Sequence, residues 1–243
     1  MADRYVWLVW SLAFLVPWLV LFVRYPVHRR AMWWASLFTA PFGLTEPIFV
    51  PEYWMPPSLF DLAARTGFDV ESLIFSFGIG GVGAVIYSVA TGERSVPIDA
   101  AHRHAPLHRW NRWAIAAPFL VFPLLYVALP WNPIYPAFIA MIVGAIATAR
   151  CRPDLARRTW VGGLLFTAYY WVFIEGLALL SPGYVERVWN LDALSGVLVR
   201  STPLEELVFA CTFGMYWAGV YEHLTWKRAH RLGDHQGSAR TPA

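Results

Sequence analysis

Five glutamates of the 243-residue chain lie in long apolar segments, near the segment ends that the sequence places on one side of the bundle. An ionisable side chain in such a place is energetically costly, so it suggests a function by default. A carboxyl group that is partly shielded from water can keep its proton near neutral pH, as a general acid must. The sequence therefore predicts acid–base chemistry in an apolar setting, and the candidate catalytic residues are Glu46, Glu71, Glu175, Glu205 and Glu206.

Some acidic residues also have a structural interpretation. The stretch from Thr202 to Glu205, with proline second, fits a capping box with proline at the first helical position. Asp69 fits a similar helix cap. Glu206 follows Glu205 by about 100° around a helix, so at most one of the pair points straight into a bundle. Glu175 lies near a helix C-terminus, where the helix dipole disfavours an anion. Chemistry is therefore the favoured interpretation for Glu206 and Glu175.

Aromatic side chains are numerous in the same segments, and the chain has 14 tryptophans. Their ring faces would stabilise a carbocation in an apolar cavity, although ordinary packing is the favoured interpretation for any single one. Tyr53 and Trp54 are interpreted as part of an interfacial aromatic belt. The candidate substrate-binding residues are Phe38, Phe75, Tyr170, Trp171, Phe209, Phe213 and Trp217.

Long apolar helices must position these residues. The chain is 58% hydrophobic and only 14% charged, which is too little charge to cover the surface of a soluble domain of this size. The sequence predicts an all-α integral membrane protein, a seven-helix bundle, because seven segments can each cross about 30 Å of hydrocarbon. These segments are residues 5–23, 31–50, 70–90, 113–131, 133–149, 160–180 and 203–226.

The basic residues alternate along the chain. Fifteen of the 19 lysines and arginines follow the first, third, fifth or seventh segment. By the positive-inside rule, this pattern predicts an N-terminus outside and a C-terminus in the cytoplasm, in the cell (inner) membrane. The net charge of +3 is thus explained by topology, and no nucleic-acid partner is expected.

An internal repeat is predicted. A shift of 128 residues superposes residues 38–40 on 166–168, and with six further residues the stretch 69–75 meets 203–209. Gly80 then falls on Gly214. Residues 1–95 and 133–228 are the two predicted parallel three-helix repeats. Residues 96–132 would form a cytoplasmic loop and a linker helix, and residues 229–243 a disordered tail.

Neither a metal site nor a cofactor is expected. The two cysteines have no metal-ligand spacing, and the histidines lie in loops, at segment ends or in the tail. Residues 78–83 fit the G-x-G-x-x-G pattern, but they lie inside an apolar segment rather than between a strand and a helix.

The stretch 202–209, Thr-Pro-Leu-Glu-Glu-Leu-Val-Phe, resembles the lycopene cyclase domain family of small membrane cyclases. In that family, P-x-E-E followed by Leu and Phe opens one helix of each repeat. Glu205 and Glu206 match the motif, and Glu71 matches one position of it. The first half departs from the motif, because Asp69 stands in place of the proline and Ser72 in place of the second glutamate.

The resemblance implies a lycopene β-cyclase, an intramolecular lyase or isomerase that needs no cofactor. Protonation of a terminal double bond of the polyene gives a tertiary cation, the neighbouring alkene attacks it, and a proton is lost. The reaction is redox-neutral. The implied partners are a carotenoid or other long isoprenoid and the lipid bilayer, and contacts with other membrane enzymes of carotenoid synthesis stay open.

Two alternatives remain from the sequence. A non-catalytic carotenoid- or isoprenoid-binding membrane protein would bind pigment without converting it and would tolerate Glu206→Gln. A small transporter is compatible with parallel repeats, but no segment is predicted to be broken near its middle. A retinal photoreceptor is set aside, because the only lysine, Lys227, lies at the end of the last segment.

Overall fold

The computed structural model describes residues 3–99, 103 and 106–231, and this part of the chain is mainly helical, with two small sheets. Five helical segments are long and apolar enough to cross a membrane. The class of all-α integral membrane protein is thereby supported. The five segments are Asp3–Arg24, Val70–Thr91, His108–Ala128, Ile134–Cys151 and Pro153–Leu180.

The helices are α1 (Val6–Arg24), α2 (Arg29–Thr39), α3 (Glu46–Phe49), α4 (Leu62–Thr66), α5 (Val70–Thr91), α6 (Asn111–Ala128), α7 (Ile134–Cys151), α8 (Ala156–Leu180), α9 (Tyr184–Val188) and α10 (Leu204–Thr225). The strands are β1 (Glu93–Pro97), β2 (Leu198–Val199), β3 (Thr202–Pro203) and β4 (Lys227–Arg231). Two antiparallel pairs form, β1 with β4 and β2 with β3.

The second predicted segment is not one helix. It runs as α2 to Thr39, then as a 3-10 stretch Ala40–Thr45, and then as the short α3. Pro41 lies at the start of the 3-10 stretch, where its missing N–H removes a helical hydrogen bond. Gly43 lies against the α5 backbone, and a Cβ there would be 2.6 Å from the nitrogen of Leu73. The expectation of an unbroken second segment is therefore wrong.

The last predicted segment forms α10, which is long enough to cross but falls outside the five apolar segments. It carries Glu205 and Glu206 in its first turn and Glu222 near its end. The seven-segment arrangement is therefore only partly supported by length and composition.

The centre of the bundle consists of α5 and α10, which contact each other. The first packs against α1 and α2, and the second against α7 and α8. Close packing depends on small residues. A Cβ at Gly80 would be 2.9 Å from the Ala35 carbonyl oxygen, and one at Gly214 would be 2.9 Å from that of Gly162. The counterpart of Ala35 in the predicted repeat is Gly163, whose Cα would be 3.0 Å from a Cβ at Gly214, and the duplication itself stays a prediction.

The sheet of β1 and β4 follows α5 and α10 directly and joins the two halves of the sequence, with Glu93 opposite Arg231. The predicted disordered tail therefore starts within a strand, and residues 232–243 of that tail lie outside the described residues. Residues 100–102, 104 and 105 of the predicted cytoplasmic loop also lie outside them.

Two arginines at this end are buried rather than interfacial. Arg152 pairs with Asp154 at 2.6 Å and donates to the Lys227 carbonyl. Arg158 is 2% exposed and forms an ion pair with Glu222. Because each has an acidic partner, their positions are explained by packing inside the protein as well as by membrane topology.

Candidate active site

A cavity of about 540 Å³ lies beside the broken second segment and is bounded by α5, α6, α7 and α10. Its volume falls within the range of about 300–1,000 Å³ that is typical of small-molecule sites. Pro118 and Pro123 lie inside α6 and line the cavity. Irregular backbone at membrane depth is tolerated where it lines a cavity, which fits the position of the Ala40–Thr45 break.

Two of the five candidate carboxyl groups line this cavity, namely those of Glu46 and Glu206. They are 6% and 4% exposed. The first belongs to α3 and the second to the first turn of α10, so each half of the sequence contributes one. Most of the other lining residues are apolar or aromatic, so the two carboxyls face a largely apolar space.

The Glu206 carboxyl accepts three hydrogen bonds. The Tyr170 hydroxyl donates to Oε2 at 2.7 Å, and the Trp189 indole N–H donates to Oε1 at 2.7 Å. The Tyr53 hydroxyl also donates to Oε1. An ionised carboxylate only accepts hydrogen bonds, so three donors from three different elements match a carboxylate at this position.

The Glu46 carboxyl has a different environment. It lies beside Ser72 and Trp54, but its Oε1 atom is buried without a hydrogen-bond partner among the described residues. An unpaired buried charge is costly, so this position suits a carboxyl that carries its proton. Thr39 lines the same cavity, although the helix break means that no continuous helical stripe connects the two residues.

The other three candidates are buried or half-buried outside the cavity wall and bind protein groups. Glu71 accepts the backbone N–H of Leu59 at 2.7 Å. Glu205 accepts the backbone N–H of Ser195 at 2.8 Å and the Tyr135 hydroxyl at 3.0 Å. The two backbone contacts hold the segments around Leu59 and Ser195 on the starts of α5 and α10.

Glu175 also binds a loop, through the Ser201 backbone N–H at 3.1 Å and the Thr202 hydroxyl at 2.7 Å. Thr202 donates to Glu175 and does not cap α10, whose start has no side-chain cap. The capping-box interpretation of Glu205 is therefore wrong. The hydrogen bonds from Ser201 and Thr202 also give Glu175 a structural role, which the sequence did not indicate.

Asp69 is a helix cap, as expected. It stands at the N-cap of α5 and accepts the backbone N–H of Ser72. Burial raises the pKa of the Asp69 carboxyl, and the hydrogen bond from Ser72 partly offsets this effect. The residue is absent from the cavity lining, so its role in the structure is that of a cap.

Most of the predicted aromatic residues line the cavity. The lining includes Phe75, Tyr170, Phe209, Phe213 and Trp217. Phe38 instead lines a neighbouring groove, where its ring stacks on that of Trp217 at 5.8 Å. Trp171 lines neither space.

Two hydrogen-bond donors of Glu206, Tyr53 and Trp189, come from loops. Tyr53 is 6% exposed, so its interpretation as part of an interfacial belt is wrong. The loops pair through Met55 N to Val188 O at 2.8 Å and Asn190 N to Tyr53 O at 3.0 Å. No motif or spacing in the sequence marks these residues, because their contacts arise only when two distant loops meet.

Residues 132–224 match the family model described as Lycopene cyclase. No curated protein sequence and no solved structure matches the chain. The matched segment covers less than half of the chain and contains α7, α8 and α10, including Glu206, whereas Glu46 lies outside it. The second half of the chain therefore carries a lycopene cyclase family domain.

Proposed function

We propose that the protein is a membrane lycopene β-cyclase that converts the ψ-ends of the polyene to rings without redox change. The observation that carries this proposal is the apolar, aromatic cavity of about 540 Å³ with Glu46 and Glu206 in its wall. Family membership of residues 132–224 supports the same chemistry. An apolar substrate that dissolves in the bilayer fits both the cavity and the membrane-spanning helices.

Glu46 is the proposed general acid. Its Oε1 atom is buried without a described partner, so the neutral, protonated carboxyl is the form that fits the site. In the first step the carboxyl proton passes to the terminal double bond of the ψ-end. A tertiary carbocation forms and the Glu46 carboxyl becomes an anion.

Glu206 is the proposed anion and base. Hydrogen bonds from Tyr53, Tyr170 and Trp189 hold its carboxylate in place. A fixed negative charge at the edge of an apolar cavity stabilises the developing cation without further reorganisation. After the neighbouring alkene closes the ring, this carboxylate takes the proton that the ring loses.

The aromatic wall would stabilise the cation between these two steps. The rings of Tyr170 and Phe209 lie 5.9 Å apart, and those of Phe209 and Phe213 lie 5.7 Å apart. Ring faces attract cations, and an apolar site keeps water from adding to the carbocation. One proton is gained and one is lost, so the product is an isomer, and proton exchange between the carboxyls and water resets the site.

The test is expression of the full chain in a host that accumulates lycopene, followed by separation of the pigments. Cyclic carotenes are expected with the parent chain and with Glu186→Gln, which removes an exposed carboxyl outside the cavity. Lycopene that stays unchanged while the protein is present in the membrane would contradict the proposal. Bound but unconverted pigment would favour the non-catalytic binding protein.

We also propose that the N-terminus lies outside and the C-terminus in the cytoplasm of the inner membrane, from the alternation of basic residues. Single cysteines at Glu186 and Arg109, both exposed, test this orientation once the two native cysteines are replaced. A membrane-impermeant thiol reagent added to intact cells should label position 186 and spare position 109. The reverse pattern would contradict the orientation.

A further inference from the structure

A second groove of about 290 Å³ lies between α2 and α10. Its wall includes Trp34, Phe38, Ala84, Val220 and Leu224, and Arg30 is its charged residue. None of the carboxyl groups described above lines this groove. Its apolar wall indicates a hydrocarbon occupant.

The groove and the cavity share Trp217. This side chain is 4% exposed, and its ring stacks on Phe38 at 5.8 Å on the groove side and on Phe213 at 5.3 Å on the cavity side. The Trp217 indole nitrogen makes no hydrogen bond within the described part of the chain. The two spaces are thus neighbours across one aromatic side chain, without a charged residue between them.

The two spaces follow one another along α10. The cavity starts at Glu206, and the groove ends at Thr225, the last residue of the helix. At about 1.5 Å per residue these positions are roughly 28 Å apart, close to the ~30 Å thickness of the hydrocarbon core. A linear molecule parallel to α10 would therefore stay in the apolar layer along its whole length.

We infer that the second groove binds the far, unreacted end of the same linear polyene whose near end lies at Glu46 and Glu206. This inference rests on the proposed function. The polyene would pass Trp217, whose ring faces suit a flat conjugated chain. The groove then selects substrates by length, because a short polyene fills only the cavity and gains nothing from the groove.

The experiment uses the purified full chain in phospholipid vesicles with two substrates, lycopene and a linear polyene of about half its length with a single ψ-end. Val220 lines the groove and not the cavity, so Val220→Trp is the variant chosen to fill the groove. Its matched control is Val172→Trp, which adds the same ring at a side chain that is 72% exposed and lines neither space. The ratio of lycopene conversion to short-polyene conversion should fall about tenfold or more in Val220→Trp and stay unchanged in the control.

Leu224→Trp provides a second blocked variant, because this residue is 53% exposed and its replacement needs no buried space. It should lower the same ratio. An unchanged ratio in both variants would overturn the inference and leave the groove to a lipid acyl chain. An equal loss on both substrates would also overturn it, since length selection would be absent. Conversion of neither substrate by the parent chain would instead overturn the proposed function, and the inference with it.

Discussion

The two central helices differ in a regular way. In the alignment of the predicted repeat, Ser72 of α5 corresponds to Glu206 of α10, and Ser88 corresponds to Glu222. Both pairs are buried, and the two positions are 16 residues apart in each helix. The second half thus has a carboxyl at each end where the first half has a hydroxyl.

These unequal positions meet inside the protein. At one end, Ser72 and Glu206 line the same cavity. At the other end, Arg158 donates to Ser88 and pairs with Glu222, which also accepts the Ser95 hydroxyl at 2.6 Å. The first half therefore lacks the second acid of the motif and contributes hydroxyl groups beside the carboxyl groups of the second half.

The position at which both halves carry a glutamate makes a different kind of contact. Glu71 and Glu205 correspond in the predicted repeat, and each accepts a backbone N–H from a loop of its own half. Neither lines the cavity. The glutamate that the first half contributes to the cavity is Glu46, which lies next to the helix break rather than at the start of α5. We therefore expect the corresponding glutamates, Glu71 and Glu205, to serve structure, and the two cavity glutamates, Glu46 and Glu206, to serve chemistry.

The largest effect is expected for Glu206→Gln. Loss of the carboxylate removes the proposed base and the fixed negative charge, so the conversion rate should fall about 10²–10⁴-fold. Ser72→Ala, at the corresponding position of the first half, should cost far less. Pigment analysis against protein level in the membrane measures both. Similar losses for the two variants would remove the proposed difference between the halves.

Glu46→Gln comes next. The amide cannot donate an acidic proton, so conversion should fall at least about 10²-fold while lycopene binding persists. The control is Glu52→Gln, which changes an exposed glutamate of a loop in the same half. Full activity of Glu46→Gln would show that the first half supplies no acid.

Arg158→Met tests the buried ion pair with Glu222, at the other end of the bundle, through the stability of the protein. It leaves the Glu222 carboxylate buried and unpaired, which should lower the free energy of unfolding by about 3–5 kcal/mol. Arg30, its counterpart in the predicted repeat, is exposed, and Arg30→Met should change this free energy by only about 0.5 kcal/mol. Denaturation in detergent measures both variants, and equal losses would contradict the comparison.

The smallest effects are expected for Glu71→Gln and Glu205→Gln. Each variant keeps an acceptor for the loop N–H, so the loss of stability should be about 1 kcal/mol. Activity should stay within about tenfold of the parent, because the change acts on the loops rather than on the reacting atoms. A loss for Glu205→Gln as large as that for Glu206→Gln would place Glu205 in the chemistry.

Apolar length and the P-x-E-E stretch made the helical membrane class and Glu206 predictable from the sequence. The break at Ala40–Thr45 was not predictable from apolar length, because a 3-10 stretch and an α-helix can be equally apolar. It depends on the contact of Gly43 with the α5 backbone. Tyr53 and Trp189 were beyond prediction for a similar reason, since they reach Glu206 only through the pairing of two distant loops.

In the proposed reaction, carboxyl groups exchange protons with the polyene during ring closure. Cyclisation by the parent chain in vesicles suspended in D₂O tests it most directly, with mass spectrometry of the ring products. One carbon-bound deuterium is expected for each ring formed, because the exchangeable Glu46 carboxyl supplies it, and Glu46→Gln should form at least about 10²-fold fewer rings. Rings without deuterium, or lycopene that stays unconverted by the parent chain, would contradict the account.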